Sequence, residues 1–218
     1  MTALRDLLPE TIAVRETAAD LSEPLLPQEE PFVARAVDKR RREFTTVRAC
    51  ARSALAGLGV PPVPILPGDR GAPGWPPGIV GSMTHCDGYR AAAVARRDDI
   101  RSIGIDAEPD APLPGGVLES VARPAERDMV RRLAAEPAAH WDRLLFSAKE
   151  SVYKAWFPLT GAWLGFEDAE ILIDPAGRTF TARLLVPWPA RDTPPLHRLD
   201  GRWVRRDGLV ISAIVVPA

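Results

Sequence analysis

Residues Phe146–Lys154 read FSAKESVYK, and their spacing sets the fold. Trp141, Leu145, Ala148, Val152 and Ala155 recur at intervals of three and four, which makes one apolar stripe of an α-helix. Ser147, Glu150 and Lys154 fall at i, i+3 and i+7, so they align along another face. Pro158 and Gly161 end the pattern. Taken alone, Glu150 and Lys154 make an ordinary surface pair, worth a few tenths of a kcal/mol.

Upstream, Ile103–Glu108 reads IGIDAE. Isoleucines alternate with Gly104 and Asp106, the period of a half-buried strand. Asp106 and Glu108 therefore share one face, and Pro109 ends the ladder. Two carboxylates on one face repel, and a cation or a raised pKa relieves them. Hard oxygen ligands of this kind suit Mg²⁺, which completes its shell with water and substrate phosphate. The alternative is a strand end frayed into solvent with both acids hydrated. A third segment, Gly81–Gly88, reads GSMTHCDG. Ser82, Thr84 and His85 sit between glycines, where hydroxyls and backbone N–H groups can wrap an anion. A lone histidine here also suits a structural hydrogen bond. No HxxxH or HExxH spacing occurs, which argues against zinc.

In this order the three segments resemble the 4′-phosphopantetheinyl transferases. The likeness is to the single-chain, two-lobed group that activates carrier proteins of polyketide, nonribosomal peptide, siderophore and lipid synthesis. It continues through KRRREFTTVRACAR (Lys39–Arg52), RGAPGWP (Arg70–Pro76) and WFPLTGAWLGFEDA (Trp156–Ala169). Residues 1–30 carry none of it. The resemblance implies an α+β, sandwich-like fold: a pseudo-twofold pair of lobes, each a long helix on a small, mainly antiparallel sheet. Residues 1–102 would form the N-terminal lobe and contact the phosphates and adenine of coenzyme A. Residues 103–218 would form the C-terminal lobe with the metal and the catalytic helix, and the active site would lie in the cleft between them.

What the resemblance implies for single residues is equally specific. Asp106, Glu108 and Glu150 would hold Mg²⁺, or Mn²⁺ in its place. Arg40, Arg48, Arg70, Gly71, Ser82, Thr84 and His85 would contact coenzyme A, and arginine suits that role because its planar fork bonds two oxygens at once. Lys149 and Lys154 would neutralise charge at the reacting end. Glu150 is the candidate base, directly or through a metal-bound water, with Lys154 as its catalytic partner. Pro67 occupies a position that is lysine in close relatives, which would remove one phosphate contact. The partners implied are coenzyme A and apo acyl or peptidyl carrier proteins, with the enzyme a monomer.

The rest of the chain is consistent with a soluble enzyme. Its 218 residues are 46% hydrophobic and 26% charged, and the net charge of −1 gives no global pull toward nucleic acid or an anionic membrane. Two cysteines, Cys50 and Cys86, make no disulfide framework. The first residues lack a long apolar run, and no apolar stretch is long enough to span a bilayer, which predicts a cytoplasmic protein. Within residues 1–30, Ile12–Arg15 reads as a short strand and the rest as loop. Glu29, Glu30 and Pro31 read as the start of a helix running to about Gly57. Phe32, Val37 and Phe44 are among its apolar contacts, and Lys39, Arg40, Arg41, Arg42, Arg48 and Arg52 form its basic face. Val60–Gly78 is a Pro/Gly-dense loop. Tyr89–Glu108 reads as a hairpin turning at Arg96–Asp99, although its alanines would also suit a helix. Val117–Leu133 reads as one or two helices around Pro124, with Leu118, Val121, Met129 and Val130 as either core or a patch for a partner helix. Two more hairpins follow, around Pro175–Gly177 and Asp207–Gly208. Two other function classes fit the same residues: a non-catalytic coenzyme A binder, and a Mg²⁺-dependent phosphohydrolase acting on coenzyme A itself.

Overall fold

The computed structural model describes residues 3–135, 140–189 and 195–218. Its two antiparallel sheets and their helices make the α+β fold expected. The first sheet holds β1 (Ala13–Thr17), β2 (Ile79–Cys86) and β3 (Tyr89–Arg96) in the order β1-β3-β2, and α1 (Asp38–Gly57) packs against it. The second holds β4 (Ile100–Pro109), β5 (Ala169–Asp174), β6 (Thr179–Leu184), β7 (Arg198–Arg206) and β8 (Leu209–Pro217) in the order β4-β8-β7-β6-β5. Two short helices, α2 (Val117–Val121) and α3 (Pro124–Leu133), lead into α4 (Trp141–Thr160), which covers this sheet. Among the described residues, no helix is long and apolar enough to cross a membrane.

The apolar stripe of α4 is buried as its spacing predicts. Gly161 ends the helix as expected, in the left-handed region at φ 64°, whereas Pro158 lies inside its last turn. Gly104 lets α4 and β4 meet, because a Cβ there would stand 1.9 Å from the Ser151 carbonyl oxygen. This contact puts β4 under cover on both faces. Ile103 and Ile105 are fully buried and Asp106 is 4% exposed, so the acids do not lie on a frayed strand end.

Tyr89–Glu108 is not a hairpin. β3 is already flanked by β1 and β2, so the turn after Arg96 carries the chain from one sheet into the other. β3 instead turns back on β2 through Asp87 and Gly88, the latter at φ 72°. Strand patterns show which residues face inward but not which neighbour completes the ladder. GSMTHCDG is likewise no anion-wrapping loop: most of it is β2. Ser82 and Thr84 are buried, and their hydroxyls accept hydrogen bonds from the backbone N–H groups of Ile105 and Ala107, both 3.1 Å. Side chains thereby join the two sheets where no strand ladder does.

The first helix begins at Asp38, not at Pro31. Glu30–Val33 makes a single 3₁₀ turn, and Val37 is extended. Glu29 is no first-turn acid but a fully buried hub, taking hydrogen bonds from Leu26 N, Ile65 N and the Arg52 guanidinium. Phe32 and Val37 are exposed, whereas Arg48 and Arg52 are buried, so the basic face is narrower than the spacing suggests. The stretch before β1 is also ordered against the core. Leu4, Leu7, Leu8 and Ile12 pack with Tyr89 of β3 and with Val204 and Leu209 of the second sheet. Glu16 fixes it in place, accepting from Leu4 N and from the Tyr89 hydroxyl at 2.7 Å.

Candidate active site

A cavity of about 540 Å³ lies between the two sheets' helices. Arg40, Phe44 and Arg48 of α1 line one side, and Glu150, Tyr153 and Lys154 of α4 line the other. β2 contributes Ser82 and His85, and the 67–75 loop contributes Pro67, Arg70 and Gly71. Arg97, just past β3, completes the set. Arg40, Arg48, Arg70, Arg97 and Lys154 thus face a single carboxylate, Glu150, among the described lining residues. In a chain of net charge −1 such a local excess favours an anionic ligand on electrostatic grounds.

Each cation is held differently. Arg40 donates to Nε2 of His85 at 2.9 Å. Arginine has no acceptor, so that nitrogen is unprotonated and the imidazole is neutral. Burial lowers the His85 pKa in the same direction, against the pull of Glu43, and the charges of Arg40 and Lys154 add to it. Arg48 donates to the Ile65 carbonyl at 2.9 Å, and its guanidinium carbon lies 3.2 Å from the centroid of the Phe44 ring. Burial pushes its pKa down to about 10, which leaves it charged at neutral pH. Arg70 sits at φ 52° and lies 5.0 Å over the ring of Trp163, so the 67–75 loop reaches the segment just after α4.

The acids meet at the α4–β4 contact. Lys154 Nζ donates to Asp106 Oδ1 at 2.7 Å, and the Thr84 hydroxyl donates to the same oxygen at 3.4 Å. Asp106 Oδ2 is buried and has no hydrogen-bond partner. Glu108 Oε2 is held by Arg143 of α4 at 2.9 Å. Burial raises the pKa values of Glu108 and Glu150, and the charge of Asp106 raises both further. Arg143 opposes this at Glu108, as Lys154 does at Glu150. Among the described residues no three His, Cys, Asp or Glu side chains form a ready-made metal cluster. The donor chemistry nevertheless fits a hard divalent cation. It offers an orphaned buried carboxylate oxygen and two further carboxyls close enough to feel the same charge.

Lys149 is not at this cleft, where it was expected to meet coenzyme A. It pairs with Glu126 of α3 at 2.9 Å, with side chains 2% and 1% exposed, and also donates to the Phe166 and Ala169 carbonyls. Burial lowers its pKa against the pull of Glu126. It borders a smaller cavity of about 150 Å³, which shares Glu150 and Tyr153 with the larger one and is otherwise lined by apolar groups such as Val152, Trp163, Leu164 and Phe166. The Tyr153 hydroxyl is buried without a partner in this shared wall. Thr84 also lies off the cavity wall. Val121, Met129 and Val130 are buried and Leu118 is half-buried against the same core, so they serve packing rather than an exposed patch.

Comparison with known proteins decides the family. Residues 28–95 match the family described as the 4′-phosphopantetheinyl transferase N-terminal domain, and residues 102–194 match the 4′-phosphopantetheinyl transferase superfamily. The 4′-phosphopantetheinyl transferase PptT of Mycobacterium tuberculosis is 55% identical over 225 residues, covering 99% of this chain and 98% of that one. The chain belongs to the 4′-phosphopantetheinyl transferases. Svp of Streptomyces mobaraensis, another such transferase, is 60% identical over 195 residues, or 89% of this chain and 79% of that one. Enterobactin synthase component D of Salmonella typhimurium is 33% identical over 179 residues, covering 81% and 72%. In this phosphopantetheinyl transferase, sequence reasoning missed Arg97, Tyr153, Arg143 and Glu126. Arg143 alone had a readable signal: it precedes Glu150 by seven residues and Lys154 by eleven, on the same stripe of α4.

Proposed function

We propose that the enzyme transfers the 4′-phosphopantetheine group of coenzyme A to a serine hydroxyl of an apo acyl or peptidyl carrier protein, with Mg²⁺ bound and 3′,5′-ADP released. The observation that carries this reading is the cationic cavity whose wall residue Lys154 is bonded to the buried Asp106. Coenzyme A has its negative charge at one end and a long neutral arm at the other. The arginine-lined cavity suits its phosphates. Enzyme, substrate and cation act in the cytoplasm on this reading, and a single chain suffices because both lobes line the cavity.

Phosphoryl transfer needs placement and neutralised oxygen charge more than covalent help. Arg40, oriented by neutral His85, would anchor a phosphate, as would Arg48 and Arg70. Arg48 spends its Nε on a backbone carbonyl, which fixes the guanidinium plane before substrate arrives. Gly71 and Ser82 give close backbone and hydroxyl contacts along the wall. Lys154 stands between the cavity and Asp106, where it would meet the pyrophosphate. Asp106, Glu108 and Glu150 would hold the Mg²⁺, which supplies charge neutralisation at the phosphate oxygens. Glu150 would accept the serine proton, directly or through a water, and its raised pKa suits a base that must release the proton again. The serine oxygen bonds to the phosphorus bearing pantetheine, the bond to the bridging oxygen breaks, and the pair of electrons leaves with 3′,5′-ADP.

The test is mass spectrometry of apo carrier proteins incubated with enzyme, Mg²⁺ and coenzyme A. A gain of about 340 Da, the transferred phosphopantetheine, is expected. Coenzyme A cleaved without any carrier would favour a phosphohydrolase. Binding with neither product, across acyl and peptidyl carriers, would overturn the transferase reading.

A further inference from the structure

The N-terminal turn of α4 carries a side chain that the reaction scheme does not use. Arg143 donates through Nη1 to Glu108 Oε2, through Nε to the Ala111 carbonyl and through Nη2 to the Pro112 carbonyl, at 2.8–3.0 Å. Three edges of one planar guanidinium therefore grip both the acid and the backbone just beyond it. The pair is largely shielded, with side chains 15% and 20% exposed. Next to it Asp142 accepts from Leu113 N at 2.8 Å, so the helix start holds residues 108–113 at several points.

This grip leaves a pattern across both strand acids. Asp106 is held through Oδ1, by Lys154 and Thr84, and keeps Oδ2 without a partner. Glu108 is held through Oε2, and its contact is likewise supplied by α4. Each carboxylate is gripped at one oxygen, and each takes a grip from the α4 stripe that also bears Glu150. We infer that Arg143 is a positioning residue: it fixes the rotamer of Glu108 so that this carboxylate presents its other oxygen to the divalent cation. The inference rests on the metal assignment of the proposed function. An arginine is suited to it because its rigid fork can lock a carboxylate and two carbonyls together, which a lysine's single ammonium cannot. The opposing expectation is plain electrostatics, in which a cation beside the site only repels the metal.

The two differ in sign, so metal binding by the protein alone decides. Mn²⁺ would be titrated into the full chain without coenzyme A or carrier, with free Mn²⁺ read by electron paramagnetic resonance. Partners that orient metal ligands are commonly worth 10–100-fold in affinity, so Arg143→Gln should weaken Mn²⁺ binding by about that factor. Arg143→Lys should recover only part. A folded Arg143→Gln protein, checked by circular dichroism, that binds Mn²⁺ as tightly as wild type or more tightly overturns the inference. If Arg143→Gln does not fold, Arg143→Lys carries the test: several-fold weaker binding supports positioning, and unchanged binding refutes it. Wild-type protein that takes up no Mn²⁺ would defeat the metal assignment and this inference with it. Binding in wild type with no loss in the variants defeats the inference alone.

Discussion

Lys149→Met separates the structural role of this residue from the coenzyme A contact first expected of it. Its ammonium is paired with Glu126 at 2.9 Å, and both side chains are almost wholly shielded from water. The Glu126 carboxylate also takes hydrogen bonds from Arg123 N and Ile171 N, so it is built to be charged and immobile. Removing the lysine strands that charge and frees two carbonyls. Breaking a buried pair from one side typically costs about 3–5 kcal/mol. For a protein of ordinary stability, about 5–15 kcal/mol, that is a large fraction. With a urea m-value of about 2–3 kcal/mol/M the unfolding midpoint should fall by about 1–2.5 M. Removing both charges in Lys149→Met/Glu126→Gln should restore much of the loss, because the stranded acid is then gone. Equilibrium urea unfolding followed by circular dichroism measures all three proteins, and steady-state kinetics at low temperature gives KM for coenzyme A in each. A Lys149→Met protein as stable as wild type, with KM raised tenfold, would refute the reasoning and return Lys149 to the substrate.

Lys154→Ala should lower kcat and kcat/KM together by about 10²–10³-fold, as loss of an electrostatic donor at the reacting phosphate does; near-normal kcat with saturating Mg²⁺ and carrier would show that its bond to Asp106 is only structural. Arg48→Ala should raise KM for coenzyme A by the loss of a charge-assisted contact, about 1.5–3 kcal/mol, and should also lower the melting temperature, because Ile65 loses its donor; an unchanged KM in a folded variant removes it from the site. The buried Tyr89 hydroxyl donates to Glu16, and burial raises its pKa far above the ordinary value of 10. Above pH 10 the unfolded chain then loses a proton that the folded chain keeps, so Tyr89 contributes a fall in stability of about 1.4 kcal/mol per pH unit. Tyr89→Phe should remove that slope relative to wild type, and parallel stability curves for the two proteins between pH 9 and 11 would contradict it.

The elements that position the site were legible because they are local. The stripe of α4, the shared face of Asp106 and Glu108 and the turns at Pro175–Gly177 and Asp207–Gly208 all follow from period and turn chemistry. The errors came where a residue's partner lies far along the chain. Glu29 resembles a helix-starting acid until Ile65 and Arg52 close around it. Lys149 and Lys154 look equivalent in FSAKESVYK, yet five residues at 3.6 per turn set them about 140° apart, so they cannot face one cleft. Glu150 and Lys154, one turn apart, can. Arg70 could be read as basic, but its left-handed backbone and its reach to Trp163 depend on a loop whose path only the assembled fold defines.

The seam made by Ser82 and Thr84 has a consequence for how this protein can vary over generations. A backbone ladder is indifferent to most side chains, so strands drift in sequence while their pairing persists. Between β2 and β4 the amides of Ile105 and Ala107 instead depend on two hydroxyls, and hydroxyls are inherited one codon at a time. A single substitution that removes either hydroxyl leaves a buried amide without an acceptor beside Asp106, at about 1–3 kcal/mol. The joint between the two sheets is therefore inherited through individual side chains, where a ladder would be inherited through the backbone.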